Sequence, residues 1–207
     1  MDLFGERWAM PVMRELMLGP RRFGELKASL SGISANVLTQ RLEGLEKMGV
    51  LVRRKLLPPA SVQVYELTPW GMEAAPIFQA MGRWAARSPF HDPTRPFSPV
   101  ALMFSFRTML SAERARGLTM RIGFRHGAET FLWSLADGAV KIARGGLEEA
   151  QVIFTADPPA LAAAAYGGVP LAQLEASGAV RVEGDRAMAE HFLTLFPLPE
   201  KAPPPSA

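Results

Sequence analysis

The 207-residue sequence contains no cysteine and only three histidines, and each scarcity removes a class of chemistry. Without thiols there is no disulfide scaffold, cysteine zinc site, iron–sulfur cluster, thiol nucleophile or cysteine redox sensor. His91, His126 and His191 lie 35 and 65 residues apart, with none of the short spacings that bring two imidazoles onto one metal ion. There is no run of about 18 apolar residues, the length a membrane-crossing helix requires. The opening Met1-Asp2-Leu3-Phe4-Gly5-Glu6 lacks the basic and apolar regions of a secretory signal. A G-x-S-x-G elbow and a P-loop are also missing. Gly145-Gly146 and Gly167-Gly168 are too short and badly placed to cradle phosphate. These absences predict a soluble, cytoplasmic protein that is not an enzyme, with no metal, no other cofactor and no membrane association.

What is present suits a core-forming chain: 48% of residues are hydrophobic and 21% charged, with a length that allows one large domain or two small ones. Residues 1–87 hold 12 Lys/Arg against 8 Asp/Glu, whereas residues 88–207 hold 11 against 12. Within the first part, residues 21–55 carry 8 basic and 3 acidic side chains, a bias that suits a polyanionic partner. Ser88 to Pro99 has four prolines in twelve residues, which forbids a continuous helix or central strand. The expected division is therefore a first domain over 1–87, a proline-rich linker over 88–99, a second domain over 100–197 and a flexible tail over 198–207.

In the first part, Trp8, Val12 and Leu16 with Ala9 and Met13 make an apolar stripe at helical spacing, stopped by Gly19-Pro20. Phe23, Leu26 and Leu30 face inward on a second short helix that ends at Gly32. Ser34 can cap a third helix in which Leu38, Leu42, Leu45 and Met48 share one face before Gly49. Val50 to Val52 and Val62 to Leu67 read as two strands joined across Pro58-Pro59, and Thr68-Pro69 opens a long helix to Arg87. Its apolar positions Trp70, Ala74, Ile77, Phe78, Met81, Trp84 and Ala85 form a stripe wider than a small core requires.

Three helices, a hairpin and a helix is the order of a winged helix-turn-helix, in which the third helix enters the major groove and the wing follows phosphates. Turning Leu38 and Leu42 inward puts Asn36, Gln40 and Glu43 on the opposite face. Asn36 and Gln40 carry amides able to pair with adenine edges, and Thr39 can meet a thymine methyl or a phosphate. Ser34 and Arg41 lie on the same helix. Arg53, Arg54 and Lys55 sit in the wing and Arg21 and Arg22 precede the second helix, where all five can reach the DNA backbone. Each of these also fits a solvated surface residue, and the tryptophans fit packing. The joint arrangement is what favours double-stranded DNA.

In the second part the period becomes two: Leu118, Met120, Ile122 and Phe124 alternate with Thr119, Arg121, Gly123 and Arg125, as in a half-buried antiparallel strand. Phe131, Trp133 and Leu135 repeat the pattern up to a tight turn at Asp137-Gly138. Val140 with Ile142, Val152 to Thr155, and Val180 with Val182 make further strands. Asp157-Pro158, Pro170 and Gly184-Asp185 open helices. A meander of strands followed by helices defines an α+β layer domain, so the whole chain is of the α+β class. Phe104, Phe106, Phe124, Phe131, Trp133 and Phe154 are candidates to line an apolar cavity, and equally suit ordinary core.

Two resemblances rest on these residues. Gly5-Glu6-Arg7-Trp8, Gly19-Pro20-Arg21-Arg22-Phe23-Gly24-Glu25-Leu26, Gly32-Ile33-Ser34, Leu38-Thr39-Gln40-Arg41-Leu42 and Val64-Tyr65-Glu66-Leu67-Thr68 resemble the HxlR-type branch of winged-helix regulators, over about residues 4–87. That likeness implies a homodimeric transcription factor whose first and last helices build the dimer interface. Many members carry a cysteine before the first helix, and some sense oxidants with it; its absence here excludes that mechanism. Ala150 to Asp157, Gly167-Gly168 and Ser177 to Asp185 resemble a sterol-carrier-protein-2-like domain, over about residues 98–197, which implies an apolar tunnel for acyl or sterol-like ligands.

The combined expectation is a dimeric regulator that binds a pseudo-palindromic operator and responds to an apolar small molecule in its second domain. The alternatives are a regulator whose second domain is a structural or protein-interaction module, and a lipid-handling carrier or enzyme.

Overall fold

The computed structural model describes residues 5–57, 61–92 and 95–204. The expected joint at Pro58-Pro59, the first four residues, Pro93-Thr94 of the proline-rich segment and the last three residues lie outside this range. The chain forms two compact units, Met1–Phe78 and Gln79–Ala207.

In the first unit α1 (Ala9–Leu16), α2 (Phe23–Ser29) and α3 (Ala35–Lys47) precede the hairpin of β1 (Leu51–Lys55) and β2 (Gln63–Leu67). Val12, Met13, Leu16, Leu26, Leu30, Leu38, Leu42 and Leu45 are all buried, so the helical stripes read from the sequence form one core. The hairpin is antiparallel, with Leu51 opposite Leu67 and Arg53 opposite Tyr65.

The single helix expected over 69–87 is instead two, α4 (Pro69–Met72) and α5 (Ala75–Ala86). Pro76 causes the break. Having no N–H, it cannot bond the Met72 carbonyl, and its ring disfavours helical backbone in the residue before it. The chain closes α4 with short-range bonds from Glu73 N to the Trp70 carbonyl (3.1 Å) and from Ala74 N to the Gly71 carbonyl (3.3 Å), and α5 then carries Pro76 in its first turn. Thr68 caps α4, its Oγ1 accepting from Gly71 N at 3.0 Å. Gly71 fits because a side chain there would strike the Val50 carbonyl, 2.2 Å from a Cβ position.

The second unit contains α6 (Pro99–Met109), β3 (Met120–His126), β4 (Glu129–Ala136), β5 (Ala139–Arg144), β6 (Val152–Ala156), α7 (Pro158–Gly167), α8 (Leu171–Ala176), β7 (Val180–Gly184) and α9 (Arg186–Leu193). Helix α6, capped by Ser98 Oγ accepting from Ala101 N at 3.1 Å, is absent from the periodicity reading. Val100, Leu102, Met103, Phe104, Phe106 and Met109 are all buried, and a helix buried nearly all round has no polar face to betray its period. The strands run β5-β4-β3-β6-β7. The meander holds for β3, β4 and β5, joined at Asp137 (φ 51°) and Gly138 (φ 73°), both in the left-handed region that a primed hairpin turn demands. It fails at β6, which pairs parallel to β3 with Phe154 beside Phe124, so the sheet is mixed.

One face of this sheet carries the core. Phe106 of α6 stacks on Phe196 (4.6 Å between ring centroids). Phe192 of α9 meets Trp133 edge-on at 5.1 Å, and Phe124 lies 5.7 Å from Phe154. Residues 201 and 202 bond to the end of α5: Ala202 N donates to the Arg87 carbonyl (2.7 Å) and Lys201 Nζ to the carbonyls of Ala86 (3.0 Å) and Ser88 (3.1 Å). They satisfy carbonyls that the end of α5 leaves without helical partners.

Candidate nucleic-acid interface

Helix α3 begins where Ser34 stops the backbone from being helical and accepts from Val37 N at 3.2 Å. With Leu38, Leu42 and Leu45 buried against the core, the opposite face presents Asn36, Thr39, Gln40 and Glu43, all exposed. Asn36, Gln40 and Glu43 fall at i, i+4 and i+7, one line along the helix. The amides are held out by the packing of the leucines behind them.

The predicted cations separate into three groups. Arg53, Arg54 and Lys55 are exposed on β1. Arg53 donates to Glu46 of α3 at 2.9 Å and lies 5.6 Å from the centroid of the Tyr65 ring; Arg54 is ion-paired with Glu66 on β2. Both carboxylates raise the pKa of their arginine. Lys55 forms no ion pair among the described residues, and with Arg53, Arg54, Ser61 and Gln63 it borders a shallow recess at the wing.

Arg22 is exposed at the start of α2, its backbone N–H bonded to Glu25 Oε2 at 2.8 Å. Arg21, expected to touch phosphate, is instead 5% exposed. Its guanidinium donates to Ser29 Oγ at 3.1 Å and pairs with Glu25 at 3.5 Å. Its backbone bridges to Tyr65, with Arg21 N to the Tyr65 carbonyl at 2.9 Å and Tyr65 N to the Arg21 carbonyl at 2.8 Å. It joins α2 to the wing, and burial removes it from the row of phosphate-facing cations. Arg41 is half-buried and paired with Glu6. Glu25 stands at i+4 from Arg21, a spacing that signals an ion pair, whereas nothing in the sequence marks Glu6 as the partner of Arg41.

In the second unit the six candidate lining residues are brought together, and all are buried. Phe124 lies 5.8 Å from Phe106 and 5.7 Å from Phe154, Trp133 packs edge-on against Phe192, and Phe104 lies beside the Arg107 guanidinium. A cleft of this unit is lined by other residues, among them Arg107, Leu118 and Val140. No helix among the described residues is long and apolar enough to cross a membrane.

A capped helix with an exposed amide face, backed by leucines and flanked by a two-stranded basic wing, defines a winged helix-turn-helix transcriptional regulator. The comparisons with known proteins agree. Residues 3–91 match the family described as HxlR-like helix-turn-helix, and residues 111–197 match the SCP-2 sterol transfer family. The uncharacterized HTH-type transcriptional regulator YvaP of Bacillus subtilis (strain 168) is 38% identical over 85 residues, which is 41% of this chain and 78% of that protein. The HTH-type transcriptional regulator YodB of the same organism is 39% identical over 85 residues, covering 41% and 75%. A solved structure of the reduced form of YodB is 33% identical, covering 45% of this chain and 89% of that one, with a TM-score of 0.39. The chain belongs to the HxlR-like helix-turn-helix family of transcriptional regulators.

Proposed function

We propose that the protein works as a cytoplasmic homodimer that reads a pseudo-palindromic operator with Asn36, Thr39 and Gln40 of α3. In this reading the helix start at Ser34 and the cations Arg22, Arg41, Arg53, Arg54 and Lys55 hold the phosphate backbone. The observation that carries it is the exposed amide line of α3 beside a wing of three cations. One short helix reads too few base pairs alone, so two copies about one helical turn apart supply the specificity. The dimer reading draws support from α4 and α5, where Trp70, Ile77 and Trp84 are 52%, 52% and 74% exposed. Ile77, Met81 and Trp84 fall at i, i+4 and i+7, an apolar line that a second copy of the chain would cover.

The second unit is read as an effector module that binds a small molecule with an apolar part, and not as an enzyme. A second reading, in which this unit only stiffens the assembly or receives another protein, is favoured by the burial of its six aromatic candidates. Binding of fluorescent operator fragments separates specific from random DNA and tests the main reading. Gln40→Ala is expected to weaken the specific site alone, and equal loss on random DNA removes the base-reading role.

A further inference from the structure

The second unit holds a cleft of about 650 Å³ between the end of α6, the 110–119 segment and the turn joining β4 to β5. That volume falls within the range of small-molecule sites, about 300–1,000 Å³. Leu110, Ala115, Leu118 and Val140 give it apolar walls, while Arg107, Arg116 and Asp137 supply charge.

Among the half-buried arginines of this unit Arg107 stands apart; Arg83, Arg87, Arg114 and Arg116 also lack a carboxylate partner among the described residues, but they are exposed. Arg121, Arg125, Arg144, Arg181 and Arg186 each pair with a glutamate. Arg107 pairs with no carboxylate among the described residues. Its Nε is buried without a hydrogen-bond partner, and its guanidinium lies 5.3 Å from the centroid of the Phe104 ring. Burial alone lowers its pKa, with no acid offsetting the shift. A desolvated cation without a counter-ion is costly, and a folded protein retains one where something supplies the missing charge.

We propose that this cleft binds a monoanionic organic acid, its carboxylate held by Arg107 and its compact apolar body lying against Leu118 and Val140. The inference rests on reading the second unit as an effector module and names the chemistry of the effector. A planar carboxylate suits the guanidinium fork, which donates two parallel hydrogen bonds. Asp137 offsets one of the two cations that line the cleft, Arg107 and Arg116, and leaves a single net positive charge, which a monoanion matches better than a dianion such as a phosphate monoester. No aromatic residue lines the cleft, although Arg107 lies against the Phe104 ring, so ligand entry does not require the buried rings to part.

The test uses the full chain, with 2-naphthoate and its neutral isostere 2-naphthamide as probes in calorimetric titration. Saturable binding of the acid, at least tenfold tighter than the amide, is expected. Arg107→Gln should abolish that preference and Arg107→Lys should keep part of it. Val140→Phe, which fills the cleft and leaves Arg107 in place, should lose both probes while keeping the thermal transition of the parent. Equal affinity for acid and amide, or unchanged acid binding in Arg107→Gln, overturns the proposal. Acid binding without any change in operator affinity keeps the site and removes its regulatory role. Operator affinity that responds to an uncharged apolar compound, with no naphthoate binding, keeps the effector module and removes this site.

Discussion

Arg53 of the wing donates a hydrogen bond to Glu46 of α3 at 2.9 Å, so strand β1 is tied to the helix that we propose reads bases. The pair is exposed on both sides, and such pairs contribute about 0–1 kcal/mol to stability. Its larger effect is on the field at the DNA surface, because the carboxylate offsets one wing cation. Glu46→Gln is expected to tighten binding to specific and random DNA alike, with little change in melting temperature. Lys55→Ala should do the reverse, lowering the slope of log affinity against log salt by about 0.9 if Lys55 contacts one phosphate. Binding measured across a salt series checks both, and unchanged slopes would place the wing off the DNA.

Base reading makes a different demand. Gln40 is exposed on the line shared with Asn36, and loss of a good bidentate base contact costs about 1–3 kcal/mol of discrimination. Gln40→Ala should weaken the operator by roughly that amount and leave random DNA nearly untouched. Competition between operator and scrambled fragments gives the ratio directly.

The parts of this fold that were legible in the sequence are those where burial is one-sided. The leucines of α3 and the alternation in β3 and β4 reveal their faces because the opposite face is polar. Helix α6 hides for the opposite reason, being apolar nearly all round. The parallel partner of β3 was hidden as well, since a short apolar run such as Val152 to Thr155 does not state its neighbour. Pro76 was visible, and its chemistry predicts the break between α4 and α5, yet the apolar stripe running through it dominated the reading. In the candidate interface, residue types and helix face point to the amides, while the backbone bridge from Arg21 to Tyr65 depends on the approach of α2 to β2.

The exposed line Ile77, Met81 and Trp84 predicts self-association. Covering it in an obligate two-fold contact should bury more than about 1,200 Å² in total. Ile77→Glu is expected to shift the protein towards monomer in sedimentation velocity at micromolar concentration, and to weaken operator binding far more than half-site binding. A parent protein that sediments as a stable monomer would remove both the dimer and the two-half-site operator.

An effector in the second unit must obey linkage. If 2-naphthoate changes operator affinity by a factor in the usual range, about 5–150-fold, the operator must change naphthoate affinity by the same factor. Titrating the acid into free protein and into operator-bound protein measures this. Identical affinities in the two states would leave a passive second unit.

The last prediction concerns His126, buried at the end of β3 and 6% exposed. Its Nδ1 is bonded to the Ala156 carbonyl and its Nε2 has no partner, while the Phe124 ring lies 6.1 Å away. Burial lowers its pKa below the usual 6.5; the Ala156 carbonyl, Asp157 and Glu129 act in the opposite sense without outweighing it. The sign of the pH effect follows. Below pH 6.5 the unfolded chain takes up a proton at this position that the folded chain refuses, so stability is full above that pH and declines as pH falls through it. The loss continues down to the folded pKa. The drop in melting temperature between pH 7.5 and 5.5 should therefore be smaller in His126→Phe than in the parent. An identical drop in His126→Phe would show that His126 accepts its proton in the folded state as readily as in the unfolded chain.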